Sequence, residues 1–277
     1  MPLLKAILLG IVEGLTEFLP VSSSAHRALL QNLLGLKSPG TGFDIAVHAA
    51  LLFAILIYFR KDLGAMIHET FLYLAEFARS KNRGELADKY PYALLSGFVI
   101  FATVPTAIIG FVFKDFVENL FVSFFPVSIA WIVMGIILVV SKNFANGRRP
   151  LNLMSHRDAF VIGVAQGIAF MPGMSRSGAA ILAGVGCEIE PKDAARFSFM
   201  LAIPAILGAS VLEWKQPIDS FDPASGLLPA GFIAAFISGY LALVWLMRAI
   251  ENKKFHHFGY YCLALGIFSL SYSLLHR

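Results

Sequence analysis

Glu13 and Glu17 stand four residues apart inside an apolar stretch and project from one face of a helix. Pro20 follows, then Ser22, Ser23 and Ser24, then His26 and Arg27. Farther along, "MPGMSRSGA" repeats the pattern of a proline and a run of hydroxyls, with Arg176 between Ser175 and Ser177. Inside a bilayer an ionised carboxylate costs roughly 2.5–3.5 kcal/mol even on a lenient scale, so such groups need a cation, a proton or a partner. A hard divalent cation such as Mg²⁺ or Ca²⁺ accepts carboxylate oxygens and bridges them to phosphate, which makes Glu13 and Glu17 candidate metal ligands. The alternative for the pair is one protonated glutamate hydrogen-bonded to neighbouring backbone.

The serines past Pro20 read as an N-cap for a helix running to Leu34, and a helix N-terminus offers unpaired N–H groups and a positive dipole end to an anion. The second tip has the same arrangement and adds a guanidinium, whose fork donates two parallel hydrogen bonds to phosphate. Ser22, Ser24, Ser175, Arg176 and Ser177 are therefore candidate phosphate-binding residues. His26 lies three residues past Ser23, and either can serve as nucleophile while the imidazole can also act as general acid or base.

The elements that position these groups must be membrane helices. The 277-residue chain is 57% hydrophobic and 14% charged, with a mean hydropathy of +0.72, whereas soluble domains carry about 25% charged residues. Basic residues fall in short segments between apolar runs, which points to membrane topology rather than nucleic-acid binding. Cys187 and Cys262 are far apart and suggest neither a zinc site nor a disulfide framework. Glu13 and Glu17 interrupt the N-terminal apolar run and no small-residue cleavage site follows, so it does not read as a signal peptide.

A spanning helix needs about 20 mostly apolar residues. Six stretches qualify or nearly so: 43–59, 92–113, 124–141, 194–212, 227–247 and 255–275. Residues 5–34 and 158–186 are instead broken in the middle, each into two pieces too short to span singly. They predict two re-entrant helical hairpins, whose irregular backbone is tolerated only in protein or beside a wet cavity. Residues 63–78 predict an amphipathic surface helix with His68, Glu69 and Glu76 on a solvated face, and His48 lies in the span after the first hairpin.

"GIVEGLTEFLPVSSSAH" and "GVAQGIAFMPGMSRSGA" align with one gap, pairing Gly10 with Gly163, Glu13 with Gln166, Gly14 with Gly167, Phe18 with Phe170, Pro20 with Pro172 and Ser23 with Ser175. An internal repeat of this kind places a polar site near the bilayer midplane, and the GxxxG pairs allow close helix approach. If the first hairpin opens outward, 15 of the 22 Lys and Arg fall inside and six outside, including Arg27, Lys37, Lys215 and Arg277, with Arg176 at a tip. That count obeys the positive-inside rule. It also makes the hairpins enter from opposite faces, which is an inverted repeat. The expected fold is therefore one all-α polytopic membrane domain, with repeats over about 1–141 and 157–277, two re-entrant hairpins and about six full spans.

With "EGLTEFLPVSSSAH" and "PGMSRSGA" both in view, the chain resembles the undecaprenyl pyrophosphate phosphatase family, bacterial membrane enzymes linked to bacitracin resistance. The likeness covers nearly the whole length, including "FDIAVH" and "ARFSFMLAIPAILGA". It departs from the family's pattern at Ala25, where glycine is frequent, and at Ala49, Ala50 and Leu51, where a Leu-Gly-Ser or Leu-Gly-Thr sequence is common. The acid-phosphatase type of lipid phosphatase also has a serine–histidine and an "SR" motif, but "SRSGAAILAGVG" lacks the histidine and aspartate that continue it.

The resemblance implies a catalytic set of Glu17, Ser23, His26 and Arg176. It implies hydrolysis of a long polyprenyl diphosphate to the monophosphate carrier for cell-wall synthesis, in the bacterial inner membrane with the site open to the periplasmic side. The expected cofactor is Mg²⁺ or Ca²⁺, bound by Glu13 and Glu17. The expected partners are the lipid substrate and the bilayer, with no nucleic acid, and a homodimer is left open. The rival reading is a transporter or flippase of a polyprenyl phosphate lipid, because broken helices in inverted repeats also build transporters.

Overall fold

A computed structural model describes residues 3–35, 40–77, 83–120, 123–144, 147–214 and 226–275. The charge-count positions Lys37, Arg79, Lys81, Lys215 and Arg277, and His276, lie outside the described residues. Among the described residues the structure is helical, with one isolated bridge between Arg149 and Ile189.

The first broken segment forms α1 (Leu3–Phe18) and α2 (Ser23–Leu34), and the second forms α9 (His156–Ile168) and α10 (Arg176–Gly186). Between them lie α3 (Thr41–Tyr58), α4 (Arg60–Phe77), α5 (Arg83–Lys89), α6 (Pro91–Val112), α7 (Lys114–Leu120) and α8 (Phe124–Val140). After them come α11 (Pro191–Trp214), α12 (Leu227–Glu251) and α13 (His257–Leu275). Six helices, α3, α6, α8, α11, α12 and α13, are long and apolar enough to cross a membrane. Their outward faces carry exposed large apolar side chains such as Ile100, Val104, Leu241 and Trp245, a surface that suits lipid and not water. The protein is an all-α, multi-pass membrane protein.

Each half-helix leans on a span of the other half of the chain: α1 packs along α12, and α9 along α6. Glycine makes both approaches possible. A Cβ on Gly10 would run into the Gly231 carbonyl, and one on Gly163 into the Ala102 carbonyl. A hydroxyl sits at each crossing: Thr106 Oγ1 donates to the Gly163 carbonyl at 2.7 Å, and Ser238 Oγ lies 3.5 Å from the Gly10 carbonyl. The pair α8 and α13 closes the bundle, and Leu51 is fully buried, its side chain directed at Gly239 of α12.

The surface helix appears as expected, but its acids are not simply solvated. Glu69 accepts from the Tyr92 N–H at 2.7 Å, filling an orphan donor in the first turn of α6. Glu76 accepts from Lys89 and Tyr90, and those hydrogen bonds, Lys89's foremost, hold its carboxyl below the usual range. Sequence periodicity marks such residues as polar and cannot see a partner that arrives from the next helix. His68 is exposed, as expected.

Candidate active site

Proline and serine make the two tips. α1 ends at Phe18, and Ser22 then takes φ 66° and caps α2, its Oγ accepting from the Ala25 N–H at 3.3 Å. In the second tip Gly173, at φ 95°, makes the turn, and Ser175 caps α10 by accepting from the Gly178 N–H at 3.2 Å. The caps correct the sequence pairing by one position. Ser22 is the counterpart of Ser175 and Ser23 that of Arg176, so the tips share one ungapped register with the Gly10–Gly163 pair. A proline match had suggested the gap, but cap geometry sets where a helix starts.

The tips touch. The Gly173 N–H donates to Ser24 Oγ at 3.2 Å, and Ser24 Oγ lies 3.1 Å from Ser22 Oγ. Glu17 joins them: its Oε2 accepts from Ser23 Oγ at 2.5 Å, and its Oε1 is hydrogen-bonded and ion-paired to Arg176 Nη2. The guanidinium also lies 5.7 Å from the centre of the Phe170 ring, within cation–π range. Ser175 and Ser177 complete the second tip with their hydroxyls 3.2 Å apart.

These groups line the polar end of a cavity of about 890 Å³. Ser22, Ser23, Ser24, Ser175, Arg176 and Glu17 face it, as do His48 and Arg27. The rest of its wall is mostly apolar, from Ala107, Gly110 and Phe111 on α6 and from 204–209 and Val211 on α11. Both helices carry an internal proline, Pro105 and Pro204, which removes a ladder hydrogen bond where the wall must bend.

Three predicted residues are placed differently. Ser177 does not line this cavity and faces a small separate pocket with Gln166 and Ser198. Glu13 is turned to Arg27, whose Nε donates to Oε1 at 2.7 Å, and Arg27 also lies 3.7 Å from Asp44. Arg27 is thus a member of the site and not an outer-loop charge. The signal for it was the need of an intramembrane carboxylate for a partner, but the 14-residue separation gave no means of choosing it. His26 does not line the cavity. It is 7% exposed, packs edge-on to Trp131 and stacks on Tyr261, with its nitrogens 2.8 Å from the Ser22 carbonyl and from Tyr261 Oη. Trp131 and Tyr261 come from spans that carry no polar motif, so the sequence did not single them out.

The geometry combines a serine hydroxyl held on a carboxylate, an arginine with donors to spare, two helix N-termini and an apolar trough. A family model, Bacitracin resistance protein BacA, matches residues 6–268. The chain belongs to the BacA family. An undecaprenyl-diphosphatase of Methanobrevibacter smithii is 40% identical over 280 residues, covering 100% of this chain and 99% of its own. Those of Carboxydothermus hydrogenoformans and Myxococcus xanthus are 40% and 38% identical, covering 95% and 98% of this chain and 94% and 89% of theirs. These relatives thus match nearly the whole chain rather than a fragment.

Proposed function

We infer that this protein is an undecaprenyl-diphosphatase: it hydrolyses the terminal phosphate of undecaprenyl diphosphate, returning the monophosphate carrier to cell-wall synthesis and releasing inorganic phosphate. The observation that carries the reading is Glu17, which holds the Ser23 hydroxyl and the Arg176 guanidinium together at the polar end of an apolar cavity. A hydroxyl set 2.5 Å from a carboxylate beside an arginine is what a phosphoryl-transfer step requires, beyond the phosphate cradle that a transporter would share.

Ser23 Oγ attacks the terminal phosphorus while its proton passes to Glu17 Oε2. The bond from that phosphorus to the bridging oxygen breaks, and polyprenyl monophosphate leaves. Water then attacks the phosphoserine, restores the hydroxyl and releases phosphate. Arg176 has five N–H donors in all, so it keeps one on Glu17 and offers others to the equatorial oxygens, where charge accumulates. The first N–H groups of α10, behind Ser175, present a positive dipole end to the same oxygens, while Ser22 and Ser24 line the cavity from the first tip. Apolar walls on α6 and α11 take the prenyl chain.

A divalent cation fits one mode only. Among the described residues no three His, Cys, Asp or Glu gather as a metal cage, and Glu13 is engaged with Arg27. One carboxylate plus substrate phosphates is, however, an ordinary Mg²⁺ arrangement. Glu17 and the substrate phosphates would hold such an ion, which would supply charge neutralisation at the phosphates.

The protein acts as a single membrane unit of two inverted repeats, about 1–141 and 157–277, in the bacterial plasma membrane. Support comes from the matching contacts of α1 on α12 and α9 on α6. The site opens to the outer side: the cavity runs along the C-terminal halves of α6 and α11, away from the basic segment around α4 and α5. Its partners are the lipid substrate and the bilayer.

The test is phosphate release from farnesyl diphosphate by the detergent-purified protein with Mg²⁺ or Ca²⁺. Wild type should release phosphate and Ser23→Ala should not. Equal release at background level by both ends the enzymatic reading and leaves lipid transport as the use of the site.

A further inference from the structure

The first tip is held from behind by groups that the reaction does not touch. Three consecutive carbonyls there each accept from a side chain. Cys262 Sγ reaches the Pro20 carbonyl at 3.5 Å, Trp131 Nε1 the Val21 carbonyl at 2.9 Å, and His26 Nδ1 the Ser22 carbonyl at 2.8 Å. Trp131 stands on α8, Cys262 on α13, and Tyr261 beside it contacts the far nitrogen of His26. The packed pair α8–α13 therefore grips the strand of backbone that carries Ser22 and Ser23.

Hydrogen-bond chemistry assigns the imidazole. A carbonyl only accepts, so Nδ1 donates to Ser22; in the neutral ring Nε2 is then the acceptor, and Tyr261 O–H donates to it. Both nitrogens are committed, and Nε2 faces α13 and not the cavity. Ser22 meanwhile sits at φ 66°, a conformation that a residue with a side chain rarely adopts and that persists only where its surroundings enforce it. The residue after it is the one whose hydroxyl must meet Glu17.

We propose that His26 is a positioning residue, neither nucleophile nor proton carrier. Through Nδ1–H it pins the Ser22 carbonyl, and Tyr261 fixes the tautomer that makes this possible, so that Ser23 Oγ stays aligned on Glu17. The inference rests on the phosphatase reading above.

Isosteric amides test it, because the asparagine side-chain N–H lies where Nδ1 does and that of glutamine lies where Nε2 does. Phosphate release by wild type and by His26→Asn, His26→Gln and His26→Ala is compared at matched detergent and lipid, together with their thermal unfolding. His26→Asn should keep kcat within about tenfold of wild type, the scale of one altered hydrogen bond. His26→Gln and His26→Ala should lose about 10²-fold in kcat with KM little changed, as a misaligned nucleophile does. A general stabilising role would not separate Asn from Gln. A folded His26→Asn as inactive as His26→Ala overturns the proposal and returns the chemistry to the imidazole. Should His26→Asn not fold, Tyr261→Phe decides: a fall in kcat of about three- to tenfold at constant KM is expected for the lost donor, and an unchanged kcat overturns the proposal. Wild-type inactivity would instead sink the phosphatase reading itself.

Discussion

Glu17 has two oxygens and two jobs: one accepts from Ser23 and the other meets Arg176. Glu17→Gln keeps the shape but cannot take the serine proton. Turnover of farnesyl diphosphate should fall by about 10²–10⁴-fold, the usual worth of a general base, and a variant within a few-fold of wild type would remove Glu17 from proton transfer. The cation makes a separate expectation at this scale. Stripping divalent ions with a chelator should lower phosphate release by at least about tenfold, with Mg²⁺ or Ca²⁺ restoring it, since neutralising phosphate charge is worth several kcal/mol. Full turnover after chelation would leave the neutralisation to the protein's own cations, Arg176 foremost, and to the helix ends. Which residues matter was largely legible in the sequence, because a carboxylate in an apolar run is costly enough to stand out. Where each one points was not. Glu13 found Arg27, and His26 turned to Tyr261.

At the scale of helices, the half-helices are placed by glycine. At the crossing of α9 with α6, Gly163 lies against the Ala102 carbonyl and Pro105, and Thr106 donates across the joint. Gly163→Ala should push the helices apart and lower stability by about 1–3 kcal/mol, as overpacking does, read as a drop in thermal unfolding temperature in detergent. Gly64→Ala on the surface helix meets nothing within 4 Å and should be neutral or stabilising. Equal behaviour of the two variants would deny that close approach matters. Two proline-broken segments among six spans were readable from length alone, since neither half can cross a bilayer. The tip register was not. Proline matched proline across a gap, yet the caps at Ser22 and Ser175 show that the helices restart without one. Likewise, Glu69 looked solvated because its partner, the first turn of α6, comes from 23 residues away.

The whole molecule arranges two hairpins so that their tips meet over a trough walled by α6 and α11. The face to which the trough opens is a matter of topology and can be measured. Lys114 and Lys61 are both exposed, the first at the cavity on α7 and the second at the start of α4. In intact spheroplasts an impermeant maleimide should modify Lys114→Cys and spare Lys61→Cys, and farnesyl diphosphate should slow the reaction at position 114. The reverse labelling pattern would turn the molecule over and place the site on the cytoplasmic side.

Sequence alone determined that this is a polytopic helical membrane protein with two broken segments, basic loops gathered mostly on one side and a store of acids, hydroxyls and arginine at the breaks. Those features are local. They follow from the cost of charge in lipid, the length of a span and the backbone chemistry of proline and serine. Tertiary structure alone decided the pairings across tens or hundreds of residues: Glu17 with Arg176, Glu13 with Arg27, His26 with Tyr261, and α1 against α12. The physical reason is that a buried polar group requires some partner, while only the packed arrangement of helices determines which candidate lies within hydrogen-bonding reach.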